Sequence, residues 1–281
     1  MQAGDILFIV LCTVGLCMLV LYMCVPRIQE SIIFEPIKLA PSTLHEAIEL
    51  ASFEWCNTLD GERLAVRYIP RSAERVGTSP LTSIFFHGRR GSIVHAMKQA
   101  QRDADQGMDV YMVDYRGYGA STGTPSEQGL RLDAETISRY VQESGVPRSR
   151  IVLHGYSLGC VAALHVATTT DDYAMVVLES PFAKLSTATM HIYPYLRPLQ
   201  YFMTSQFNNL EAARAMRYTP LFVTHSSDDE CVSYDDARAV YAACNSRIKH
   251  FLPSPLQSHA GPHMTQAAYD WIFSHLHHNR H

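Results

Sequence analysis

From residue 81 onward, short β-rich runs alternate with amphipathic helical stretches, and this alternation limits the fold more than any other feature. Residues 81–86 precede a helical pattern at 93–106, residues 110–113 precede one at 127–143, and residues 151–154 precede one at 158–167. Runs at 174–178, 221–224 and 248–252 continue the series, with helical patterns at 235–244 and 265–275. Near-continuous apolar strands separated by amphipathic helices predict an α/β domain whose mostly parallel sheet is covered on both faces. Ahead of it, two alternating stretches at 47–55 and 63–69 flank Asp60-Gly61, a hairpin signal. Sites in such sheets lie beyond the carboxyl ends of the strands, so those loops hold the candidate residues.

Residues 6–25 (ILFIVLCTVGLCMLVLYMCV) carry no charge, and as a helix they would span about 30 Å, the hydrocarbon thickness of a bilayer. Asp5 and Arg27 bracket the run and Pro26 ends it. It lacks the basic start and the small-residue cleavage site of a secretory signal, so it reads as a single membrane anchor. Arg27 and Lys38 follow it, which by the positive-inside bias places the remaining chain on the cytosolic side. The expected organisation is an anchor at 1–25, a connector at 26–45 with Ile32-Ile33-Phe34 as an interfacial patch, and the α/β domain at 46–281. The expected partners are the lipid bilayer, met through residues 6–25, and a lipid or acylated substrate.

Of the 281 residues 47% are hydrophobic, which excludes a disordered chain, and the net charge of −4 argues against a nucleic-acid binder. The seven cysteines lack zinc or CxxC spacing. No phosphate loop or HExxH motif occurs, and Gly117-x-Gly119 lacks the third glycine of a dinucleotide fingerprint. Neither a metal nor a cofactor is expected.

Gly155-Tyr156-Ser157-Leu158-Gly159 follows the run at 151–154 and opens a helical pattern, which makes it a G-x-S-x-G motif in a strand–turn–helix context. So tight a turn needs small residues two before and two after the serine, and its strained backbone lifts the hydroxyl to the top of the sheet. Ser157 is the candidate nucleophile. A hydroxyl needs a base, and the base an orienting acid, in the chain order Ser, Asp or Glu, His. Asp229, after the run at 221–224 and in a D-x-x-V pattern, is the expected acid; Asp228 is the alternative and Glu179 a distant third. His259, after the run at 248–252, is the expected base, because His263 sits too near the final helical stretch. The oxyanion donors are expected to be the N–H of Leu158 and, in the loop His87-Gly88-Arg89-Arg90-Gly91, the N–H of Arg89. The side chains of Arg89 and Arg90 are either solvated or bind an anionic headgroup.

Phe85-Phe86-His87-Gly88, Asp114-Tyr115-Arg116-Gly117-Tyr118-Gly119-x-Ser121, Thr124-Pro125-Ser126-Glu127-x-Gly129-Leu130 and Gly155-x-Ser157-Leu158-Gly159 recur in that order in α/β-hydrolases. With the apolar run and Ile32-Ile33-Phe34-Glu35-Pro36, the chain resembles the single-pass, membrane-anchored α/β-hydrolase-domain proteins of eukaryotes. The resemblance implies the α/β-hydrolase fold and a cofactor-free Ser-Asp-His esterase, lipase or thioesterase. In three places the chain departs from that pattern. Arg89-Arg90-Gly91 stands where Asn-Ala-Gly is usual, Cys160 where a third glycine is common, and Gln257-Ser258-His259-Ala260 where Gly-x-His-Asn is usual. Asp114 reads as part of a turn, and Glu179-Ser180-Pro181-Phe182 as pocket wall. An insertion at about 183–217, rich in Tyr, Phe and Met, reads as a cap suited to an acyl chain.

The expected function is a membrane-anchored serine hydrolase that cleaves ester or thioester bonds of lipid-like or acylated substrates through an acyl-enzyme. The alternatives are a protein depalmitoylase and, from another class, a non-catalytic membrane scaffold reusing the fold.

Overall fold

The computed structural model describes residues 33–38, 53–72, 80–195, 207–261 and 263–276, together with residues 5, 11–13, 15–16, 30 and 203. In chain order the strands are β1 (Glu35–Pro36), β2 (Phe53–Asn57), β3 (Arg63–Ile69), β4 (Leu81–Phe86), β5 (Arg90–Gly91), β6 (Met108–Val113), β7 (Ile151–Tyr156), β8 (Met175–Glu179), β9 (Leu221–Ser226) and β10 (Lys249–Ser254). The helices are α1 (Ile93–Asp105), α2 (Glu127–Glu143), α3 (Gly159–Thr170), α4 (Leu185–Ile192), α5 (Asn209–Ala215), α6 (Tyr234–Ala243) and α7 (Gln266–Leu276).

Eight strands form one sheet in the order β10-β9-β8-β7-β4-β6-β3-β2. From β6 to β10 all neighbours are parallel; β3 runs antiparallel to both β6 and β2. The β2–β3 hairpin closes where Asp60-Gly61 predicts it, with Asn57 opposite Arg63 and the Thr58 N–H donating to the Glu62 carbonyl at 2.8 Å.

Side chains alternate across the sheet and feed separate cores, as period-2 geometry requires. On β7, Val152 joins the core beneath α7 with Met175, Phe222 and Tyr269. Leu153 joins the core on the other face with α3, together with Leu130 and Ile137 of α2. Phe85, Val110 and Met112 pack against α1. Helix α2 starts where its cap dictates, since the Ser126 hydroxyl accepts from the Gly129 N–H at 3.0 Å.

The chain leaves β4 for α1 on one face and leaves β7 for α3 on the other. The two strands are neighbours, so their loops part at the carboxyl end of the sheet and open a crevice between them.

Most of the expected anchor lies outside the described residues. Within it residues 11–13 and 15–16 are helical, with Leu11 and Leu16 each 61% exposed. Among the described residues no helix is long and apolar enough to cross a membrane.

The expected interfacial patch needs correction. Ile33 and Phe34 are buried against the domain, Phe34 lying edge-on to Tyr118 and Phe207 at 6.5 and 6.0 Å, because β1 pairs with β5 and draws this segment onto the body. Within 183–217, α4 borders the crevice while α5 packs against α3 and α6. Tyr201 and Phe202 lie outside the described residues.

Candidate active site

The turn between β7 and α3 is sterically closed. A Cβ on Gly155 would come within 2.7 Å of the Cys160 Cα, and one on Gly159 would overlap the Phe86 carbonyl oxygen. Between them Ser157 adopts φ +52°, a left-handed conformation costly for a residue with a side chain. Its N–H donates to the Glu179 carbonyl at 2.8 Å, so β8 holds the strained residue in place. Cys160, which replaces the commoner glycine, fits beneath the turn, its thiol directed at the Gly155 and Glu179 carbonyls at 3.2 and 3.3 Å.

Two loops from later strands reach this serine. His259 Nε2 lies 3.1 Å from Ser157 Oγ, and His259 Nδ1 lies 2.7 Å from Asp229 Oδ2. An ionised carboxylate only accepts, so Nδ1 carries the ring proton and Nε2 is left to accept from the serine hydroxyl. The other oxygen, Asp229 Oδ1, accepts from the N–H groups of Cys231 and Val232, each at 2.8 Å. Burial alone would raise the Asp229 carboxyl. The hydrogen bond from His259 and these two amides outweigh it and hold the group below its ordinary value, keeping it ionised.

The alternatives find other places. Asp228 is exposed, its N–H taken by Ser226 Oγ at 3.1 Å. Glu179 is fully buried, and its carboxylate meets His154 Nε2 at 2.8 Å and Arg102 at 3.5 Å, behind the turn. Of the stretch expected to form pocket wall, Phe182 borders the crevice and Glu179 does not. His263 is also buried; its Nε2 donates to the His259 carbonyl at 2.7 Å. Asp114 accepts from the Ile93 N–H at 2.6 Å and so fixes the first turn of α1; burial pushes its carboxyl up to about 7.

Sequence reasoning did not anticipate the brace around His259. Glu230 accepts from the His259 N–H at 2.9 Å, and the Tyr156 hydroxyl joins His263 in donating to the His259 carbonyl, at 2.9 Å. The only sequence signal for Glu230 is its adjacency to Asp229.

A crevice of about 600 Å³, its open mouth included, adjoins the serine. Leu158 and Arg89 both border it beside Ser157 and His259. Leu158 caps the start of α3, at the positive end of that helix. The remaining wall is largely apolar. Leu185, Ala188, Thr189 and Ile192 present one stripe of α4 at i, i+3, i+4 and i+7 spacing, facing Ile33, Phe182 and Val232. Donor atoms of Asp229, Cys231 and His259 lie within 4.8 Å of one another, but the Asp229–His259 hydrogen bond competes with any cation there.

The arrangement can therefore shift a proton from a hydroxyl to an imidazole oriented by a buried carboxylate, beside an apolar crevice.

A family model described as serine aminopeptidase S33 (Hydrolase_4) matches residues 81–215. The uncharacterized protein Rv2307c of Mycobacterium tuberculosis is 31% identical over 208 residues, 74% of this chain and 72% of that one. Protein bem46 of Schizosaccharomyces pombe is 28% identical over 196 residues, 68% of this chain, and the match spans 65% of bem46. The solved esterase Pf2001 of Pyrococcus furiosus superposes with a TM-score of 0.62 at 18% identity, covering 86% of this chain and 94% of that one, a likeness of fold. The chain thus has the α/β-hydrolase fold, belongs to one family with Rv2307c, and carries its likeness to the serine aminopeptidase S33 model in residues 81–215.

Proposed function

We propose that this chain is a serine hydrolase that cleaves carboxylic ester or thioester bonds of acyl substrates and is held to a membrane by residues 6–25. The observation that carries the reading is the hydrogen-bonded line Ser157–His259–Asp229, its serine at positive φ beside an apolar crevice. Ser157 Oγ attacks the acyl carbonyl while its proton passes to His259 Nε2, and Asp229 steadies the resulting imidazolium. The Leu158 and Arg89 N–H groups stabilise the oxyanion. The tetrahedral species then expels the alcohol or thiol, which takes the proton from His259. Water, deprotonated by His259, cleaves the acyl-enzyme and restores Ser157.

Wall chemistry favours acyl esters over peptides with a free amino terminus. An aminopeptidase needs an anion to hold the substrate ammonium, whereas the described wall carries Arg89 and no carboxylate. The membrane part of the reading rests on the uncharged run at 6–25.

The test is labelling of the full chain in lipid vesicles by a fluorophosphonate probe. Wild type should label and Ser157→Ala should not, and His259→Ala should lower ester turnover by at least about 10,000-fold. Folded wild type that stays unlabelled would instead favour the scaffold reading.

A further inference from the structure

We infer that Arg89, held ready by Glu35, recognises a phosphate carried on the leaving group of the substrate. The inference rests on the hydrolase reading above and adds a substrate class to it. Arg89 borders the same crevice as Ser157 and His259, and among the described residues it is the arginine or lysine of that wall. The crevice thus has an apolar side suited to an acyl chain and one arginine among the residues that border it.

The backbone of Arg89 is fixed, its carbonyl accepting from the Tyr118 hydroxyl at 2.6 Å and from the Glu35 N–H at 3.1 Å. Its guanidinium lies 3.2 Å from the Glu35 carboxylate, and Arg90 Nε lies 3.9 Å from the same group. Two guanidiniums therefore meet at the one Glu35 carboxylate. A phosphate monoester carries a charge of about −1.5 to −2 at neutral pH, which matches two guanidiniums better than Glu35 does. It also offers the oxygen pair that a guanidinium grips in bidentate fashion.

The Glu35–Arg89 pair is about one-third exposed on each side, and ion pairs so exposed hold their members weakly, so an incoming anion can displace the carboxylate. Arg89 is also within electrostatic reach of Cys231, which borders the crevice. The Cys231 thiol is raised by burial and by Glu230 and Asp229, and Arg89 opposes that rise. Glu35 sits two residues after Ile33, which lines the apolar wall, so one short segment serves both the acyl side and the anionic side.

The test compares three palmitoyl substrates with the full chain in neutral detergent micelles: 1-palmitoylglycerol, 1-palmitoylglycerol 3-phosphate and palmitoyl-CoA. The expected result is at least a tenfold higher kcat/KM for a phosphate-bearing substrate than for the neutral glyceride, arising mainly in KM. Glu35→Gln should raise that ratio severalfold, and Arg89→Gln should lower it at least tenfold. Preference for both phosphate carriers assigns recognition to the phosphate itself; preference for one also identifies its carrier. Competition of the same lipids against fluorophosphonate labelling reads the ratio where turnover is slow. A ratio unchanged in both variants overturns the inference and leaves the pair as a tether between β1 and β5. Loss of labelling in the wild type would instead remove the hydrolase reading on which the inference rests.

Discussion

Gly159 has no room for a side chain. A Cβ there would overlap the Phe86 carbonyl oxygen and lie 2.9 Å from that of His87, both backbone atoms of the segment leading to Arg89. Backbone atoms of a central strand cannot turn aside, so the strain would push the serine turn away from the loop that carries the second expected oxyanion donor. Gly159→Ala is expected to destabilise the fold by about 1–3 kcal/mol and to slow fluorophosphonate labelling of the folded fraction more than tenfold. Urea unfolding and labelling kinetics measure the two effects, and an unchanged labelling rate would show that the turn tolerates the shift. Ser157 is legible from five residues because those steric demands act inside the motif itself. Asp229 and Asp228 share one loop, and the sequence favours Asp229 only by its D-x-x-V pattern. What separates them physically is direction: Asp229 turns inward, where the Cys231 and Val232 amides wait, and Asp228 stays exposed.

Between elements, a second buried chain of charges ties the sheet together behind that turn. Asp103 on α1 accepts from Ser83 on β4 at 2.6 Å and from Tyr269 on α7 at 2.8 Å, and it meets His154 Nδ1 on β7 at 2.8 Å. His154 Nε2 then meets Glu179 on β8. Burial alone would lower the His154 value, but the Asp103 and Glu179 carboxylates overcome it and push it up to about 9, so the ring is charged at neutral pH. His154→Gln leaves two buried carboxylates without their shared cation and is expected to cost about 3–5 kcal/mol, read from the urea midpoint at pH 7. The sign of the pH dependence follows from the raised value. The contribution is full below the ordinary 6.5 and is lost as pH rises through about 9. Wild type should therefore lose stability between pH 7 and 10 more steeply than the variant, and parallel curves would count against a charged His154. None of this was legible in the sequence, where Ser83, Asp103, His154, Glu179 and Tyr269 are scattered and individually ordinary. Only the order β8-β7-β4 lines them up, and sheet order depends on contacts between distant segments. Helix α2, by contrast, was legible with its bounds at 127 and 143, since a cap and an apolar stripe are local signals.

Across the whole molecule, the short stretch after the apolar N-terminal run is part of the crevice. Ile33 lines it, Phe34 is 4% exposed between Tyr118 and Phe207, and Glu35 meets Arg89 across the β1–β5 pair. The sequence suggested an interfacial patch here because exposed and buried apolar residues look alike until their partners are known, and Phe207 lies far along the chain. The run proposed as an anchor ends only a few residues before Ile33 in the sequence, so anchoring there would hold this wall of the crevice close to the bilayer. Two truncations separate anchoring from wall building. A chain beginning at residue 26 keeps the segment; it should label with fluorophosphonate within about twofold of wild type, yet no longer sediment with lipid vesicles. A chain beginning at residue 39 also loses Ile33, Phe34 and Glu35; deleting a buried aromatic side chain alone costs about 3–5 kcal/mol, so it should be less stable by at least that much and label more than tenfold slower. Vesicle binding by the shorter chains would mean that residues 6–25 are not the anchor. Equal stability and labelling of the two would mean that the segment merely lies on the crevice without shaping it.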